Sequence, residues 1–154
     1  MKREKLIIGI GNPFRGDDGV GIQVARQLLQ ENLLDATVKE ATGEATALMS
    51  AWEGFTDVTI VDAISVDGHA RGDILTFEPG RAPLPSDAFT CSTHSFGLNH
   101  AIELSRALGT LPQRLQVIGI VGTLFDPSES MEPGLEPAII KVVNTLKEKD
   151  KSHA

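Results

Sequence analysis

Lys5 to Ile10 (KLIIGI) is a short apolar run, stopped by Gly11-Asn12-Pro13 and followed almost at once by a helical repeat. Val20, Val24 and Leu28 recur at four-residue spacing, with Ala25 and Leu29 beside them, so a helix is predicted to about Glu31. A buried strand feeding an amphipathic helix restricts the chain to a few architectures, and the pattern repeats. Ala36 to Glu40 reads as a second strand and Glu44 to Glu53 as a short helix with Leu48, Met49 and Trp52 on one side. Asp57 to Asp62 (DVTIVD) is the clearest buried strand. Asp73 to Phe77 follows after a Val66-Asp67-Gly68 turn, a link too short for a parallel crossover. Ser95 is placed to cap a helix from Phe96 to Leu108. Leu115 to Val121 is the last strand, and a final helix starts near Glu136-Pro137. The order β-α-β-α-β-β-α-β-α predicts a three-layer α/β/α sandwich, with a mostly parallel, roughly five-stranded twisted sheet flanked by helices.

The 154 residues suit a single domain spanning 1–154. A chain of this size buries roughly 68–70% of its unfolded surface, enough for a core without a staple. Cys91 is the only cysteine, so no internal disulfide forms; this suits a reducing cytoplasm. The apolar run from Leu6 is too short for a signal peptide, and no stretch approaches membrane-spanning length, so a cytoplasmic protein without membrane contact is expected. The net charge of −7 disfavours nucleic acid, whose phosphates call for clustered Lys and Arg. The mixed charges at 147–151 read as a solvated helix end, with 147–154 a frayed tail.

In mostly parallel sheets, ligands bind beyond the carboxyl ends of the strands. Three segments meet that edge: Gly11 to Gly19 after strand 1, Asp62 closing the DVTIVD strand, and Cys91-Ser92-Thr93-His94 before the third helix. Asp18, Asp62 and His94 together offer oxygen, oxygen and nitrogen, a donor set that suits a divalent metal with open positions. Each also has a plainer reading. Asp17 and Asp18 cap a helix, Asp62 bonds loop amides, and His94 is a structural histidine. Cys91, three residues before His94, is conceivable as a nucleophile but lacks a basic environment in the sequence. His69, His100 and His153 carry no assigned chemistry. GIGNPFRGDDGVG has Phe14 where a dinucleotide fingerprint needs glycine, and it lacks the Gly-Lys-Ser/Thr of a phosphate loop. No nucleotide cofactor is expected, and the glycines are read as serving a tight turn and a close helix–strand approach.

GIGNPFRGDDGVG, Asp62 on its hydrophobic strand, and THSFGL around His94 together resemble the hydrogenase maturation endopeptidases, from about Leu6 to Leu146. The Val117-Ile118-Gly119-Ile120 strand and the Gly134-Leu135 helix start fit as well. The resemblance implies a metal-contacting triad at Asp18, Asp62 and His94. It also implies cleavage of a C-terminal extension from the precursor of a nickel-iron hydrogenase large subunit. The nickel is then supplied by that precursor partner. A monomer is expected. In this picture the metal polarises the scissile carbonyl or activates water, and a carboxylate not bound to it serves as general base. Residues 79–93 and 122–133 are the expected precursor contacts. Two departures are visible: Asp18 where some members carry Glu, and Glu136 where a small hydroxyl residue is common. Two rivals stay open. One is a peptidyl-tRNA hydrolase-like esterase, whose Gly-x-Gly-Asn-Pro opening is similar but continues differently. The other is a non-catalytic metal- or nucleotide-binding module that escorts a partner.

Overall fold

A computed structural model describes residues 5–85, 93–123, 125 and 134–151, with the backbone alone at 93–96 and 151. The strands are β1 (Lys5–Ile10), β2 (Ala36–Ala41), β3 (Asp57–Ile64), β4 (Ile74–Phe77) and β5 (Arg114–Val121). The helices are α1 (Val20–Leu29), α2 (Ala45–Trp52), α3 (Thr93–Leu108) and α4 (Glu136–Lys151), and a 3-10 turn over Gly16–Gly19 precedes α1. One sheet runs β2-β1-β3-β5-β4, parallel throughout except for β4, which lies antiparallel on β5. This is the expected mostly parallel, five-stranded α/β architecture.

Alternation along the strands builds two cores. Val58, Ile60 and Ile64 of β3 face one side, with Leu48 and Trp52 of α2 and Leu98 and Ile102 of α3. Val61 and Ala63 face the other, with Val20, Val24 and Leu28 of α1 and Ile139, Val142 and Leu146 of α4. Each such fully buried aliphatic side chain contributes roughly 1.5–3 kcal/mol of transfer free energy. Strand order reverses between β1 and β3: the chain leaves β1 toward β2 and returns on the far side. This is the switch point at which open α/β sheets leave a crevice.

The glycines of the first motif allow α1 to lie close on the sheet. A Cβ on Gly21 would overlap the Ile10 and Val61 carbonyl oxygens, and one on Gly9 would lie 2.7 Å from the Ala25 Cβ. The close-approach reading of these glycines holds.

Three expectations are corrected. β3 does not end at Asp62 but runs on to Ile64, because Ala63 and Ile64 still pair with Ile120 and Val121 of β5. α3 starts at Thr93, so Ser95 lies inside its first turn rather than at its cap. The charge run at 147–151 is helical, and Asp150 within it is buried rather than solvated. Its carboxylate accepts the Leu34 and Asp35 amides at 2.6 and 2.8 Å, tying the last turn of α4 to the α1–β2 connection. Residues 152–154 lie outside the described residues.

Candidate active site

The connection from β1 to α1 folds back on itself. The Asn12 side chain accepts the Phe14 amide at 2.9 Å, and the Asn12 carbonyl accepts the Arg15 amide at 3.1 Å. The Asp18 amide then donates to the Arg15 carbonyl at 3.1 Å, while the Asp18 carbonyl accepts the Asn12 amide at 3.4 Å. A Cβ on Gly11 would overlap that Asp18 carbonyl oxygen, so glycine is required for the return. Asp18 is thereby held beside the end of β1, fully buried.

Asp62 is one strand over. Gly9 pairs with Val61, which brings Asp62 level with Ile10, and the 3-10 turn packs on β3. Its even position in β3 puts it on the α2/α3 face, fully buried, with Oδ1 accepting the Ala63 amide at 2.8 Å. The expected amide bond of the plainer reading is therefore present, to its own neighbour.

His94 sits in the first turn of α3, four residues before the buried Leu98. The α3 backbone there is close to the loop after β2, since a Cβ on Gly97 would overlap the Gly43 carbonyl oxygen. That contact puts the start of α3 at the carboxyl edge. The backbone thus brings Asp18, Asp62 and His94 to one edge of the sheet. The His94 side chain lies outside the described ones, as do residues 86–92, Cys91 among them, 124 and 126–133. Among the described residues no three His, Cys, Asp or Glu side chains form a metal cage. The donor set itself, two buried carboxylates and an imidazole, suits a borderline divalent ion such as nickel.

Asp17 was expected at a helix cap, and instead it carries an ion pair. It is fully buried, and Arg71 reaches it with a fork: Nε to Oδ2 and Nη2 to Oδ1, both 2.9 Å. The Thr123 amide adds a third bond, to Oδ2, at 3.0 Å. Arg71 also abuts Gly134, where a Cβ would lie 2.8 Å from Nη1. Glu136 accepts the Gly134 amide at 2.9 Å. That amide first, then its own, hold the Glu136 carboxyl below the usual range, with Arg71 adding a smaller pull. Sequence reading missed Arg71 because its partner is 54 residues away; the one available signal was a second acidic residue beside Asp18.

A cavity of about 550 Å³ lies at the opposite edge, lined by Trp52, Phe55, Leu108 and Leu111 among others. It holds no cluster of titratable side chains. Chemistry therefore points to the switch point.

Fold and site together define a doubly wound α/β protein with buried carboxylates at its β1/β3 switch point. The profile of the hydrogenase maturation protease family matches residues 22–150. The hydrogenase 2 maturation protease of Escherichia coli (strain K12) is 25% identical over 151 residues, covering 93% of this chain and 90% of that one. The hydrogenase expression/formation protein HupD of Rhodobacter capsulatus is 26% identical, covering 92% of this chain and 70% of its own length. The structure of the E. coli hydrogenase maturating endopeptidase HybD superposes with a TM-score of 0.75 at 25% identity, over 96% of this chain and 94% of that one. The [NiFe] hydrogenase maturation protease HycI of Thermococcus kodakarensis KOD1 gives 0.71 at 25% identity, over 97% and 94%. The chain belongs to the hydrogenase maturation protease family. It is a hydrolase of the peptidase class, as the first motif implied. Among the described residues no helix is long and apolar enough to cross a membrane.

Proposed function

We propose that this protein is the endopeptidase that removes a C-terminal extension from the nickel-loaded precursor of a nickel-iron hydrogenase large subunit, with Asp18, Asp62 and His94 contacting the precursor's nickel. The observation that carries the reading is the burial of Asp18 and Asp62 on neighbouring elements at the switch point, with the first turn of α3 at the same edge. A divalent ion delivered by the substrate would find anionic oxygen donors there. The ion would polarise the scissile carbonyl or lower the pKa of the attacking water. A carboxylate not engaged with it would take the water's proton. Nickel is then a feature of the substrate rather than a resident cofactor. We further assign the protein to the cytoplasm, where its single thiol stays reduced, and to a monomer, since both cores close within one chain.

The test is a mass measurement. Incubating a nickel-loaded large-subunit precursor with the protein should shorten the precursor at its C-terminus, and nickel-free precursor should stay intact. His94→Ala should keep the fold and stop the mass shift. An unchanged precursor with the wild-type protein defeats the proposal, as does normal cleavage by His94→Ala.

A further inference from the structure

We infer that Arg71 is a positioning residue whose fork to Asp17 fixes the adjacent Asp18 in the reacting arrangement; the inference rests on the reading of Asp18 given above. Asp17 and Asp18 share one 3-10 turn, so anchoring the Asp17 side chain fixes the backbone from which Asp18 projects. Backbone bonds within the β1–α1 connection close the turn. Arg15 precedes it without a side-chain cap, and Gly16 and Gly19 bracket it. Side-chain anchoring comes from two distant segments. Arg71 arrives from the β3–β4 link with two bonds of 2.9 Å, and Thr123 from the end of β5 with one of 3.0 Å. Gly122 leaves room, since a Cβ there would lie 2.8 Å from the Asp17 Cβ. Arg71 is held in turn. The neighbouring Gly72 amide donates to the Val121 carbonyl at 2.8 Å, and the Val121 amide donates to the Asp73 carbonyl at 2.8 Å. The guanidinium rests against Gly134, ahead of α4.

A planar fork fixes both oxygens of a carboxylate, and therefore its rotation; a point charge does not. The pair is 0% and 22% exposed, so water cannot substitute for the second bond. Asp17 accepts from Arg71 and Thr123 with its two oxygens. Its role passes through Asp18.

Arg71→Lys keeps the charge and removes the fork, and Asp17→Asn keeps the shape and weakens it. With nickel-loaded precursor, at a temperature where each protein is fully folded, kcat should fall on the order of 10- to 100-fold, the loss expected from a small misplacement of a reacting group. KM should stay within about twofold if substrate binding is untouched. Hydrogen exchange at the Asp18 and Gly19 amides, measured without any precursor, should speed up about tenfold, while Ile60 in β3 stays protected. Wild-type kcat in a folded Arg71→Lys overturns the inference, because a merely structural pair changes only the folded fraction. Lost kcat with unchanged exchange at Asp18 also overturns it, since Arg71 would then act on the substrate directly. Should the wild-type protein leave the precursor uncut, the proposed function fails instead, and the exchange measurement alone decides whether the fork holds the turn.

Discussion

Carboxylates are buried at both edges of this sheet, in different company. At the amino edge Asp150 gives both oxygens to the Leu34 and Asp35 amides and joins α4 to the start of β2. At the carboxyl edge Asp17 is forked by Arg71, while Asp18 and Asp62 lie beside it where strand order reverses. Burial by itself therefore marks nothing. The amino-edge carboxylate stands where two backbone segments must be joined, and one exchange of bonds accounts for it. The carboxyl-edge group stands where the topology opens a crevice, and there the proposed function gives Asp18 and Asp62 a role that Asp150 has no need of.

The comparison breaks most easily at Asp62. Asp62→Asn is nearly isosteric, and it should cut kcat/KM for precursor by about 10²–10⁴-fold, the usual share of a positioned acid or base. The unfolding midpoint should move by only a few degrees, and calorimetry on the same samples checks this. Retained processing would place Asp62 with Asp150, as a joint in the fold. The next effect is the mirror image. Asp150→Ala strands two amides that bond a charged group, so urea titration should show a loss of roughly 2–3 kcal/mol. Processing by the folded variant should be unchanged. Reduced kcat with full stability would show that the amino edge communicates with the site.

The smallest effect tests exposure. Glu44 begins α2 at the carboxyl edge, bonding the Thr46 hydroxyl and the Thr46 and Ala47 amides as Asp150 bonds its own, but in full solvent. The Thr46 hydroxyl first, then the two amides, hold its pKa below the ordinary 4.5. A lowered folded-state pKa contributes stability above the ordinary value and loses it as pH falls through the folded value. Glu44→Gln should therefore lower the midpoint slightly at pH 7, by less than Asp150→Ala. The gap to wild type should close as the pH is taken below 4.5. A gap that widens in acid would reverse the assignment.

Local pattern carried most of the fold. KLIIGI and DVTIVD announce two-sided burial, and the four-residue repeats of α1 and α4 announce their faces. The glycines of the first motif were readable as packing because they failed every nucleotide pattern. What escaped was set at a distance. Whether β3 stops at Asp62 or continues depends on how far β5 runs beside it, and the paired positions, such as Ile64 and Val121, are far apart in sequence. Asp17 looked like a helix cap because its true partner sits beyond two further strands in sequence. Asp150 looked solvated because the amides it meets belong to the α1–β2 connection, which nothing near position 150 specifies. For the site, the motif supplied Asp18, Asp62 and His94, and topology brought their backbones to one edge. Arg71 had no motif to announce it.

The antiparallel strand β4 has a consequence for how this molecule can vary. A parallel crossover after β3 would carry the chain away through a helix. The return onto β5 instead keeps residues 65–73 at the rim, and they differ sharply in tolerance. Asp67, Gly68, His69 and Ala70 are exposed at the tip, whereas the Gly72 amide is committed to Val121. Insertions at the tip would extend outward into solvent, leaving the rim unchanged. An added residue between Arg71 and Asp73 would shift the register of the return strand and draw the guanidinium off its seat. The link can therefore lengthen only on the outer side of Arg71.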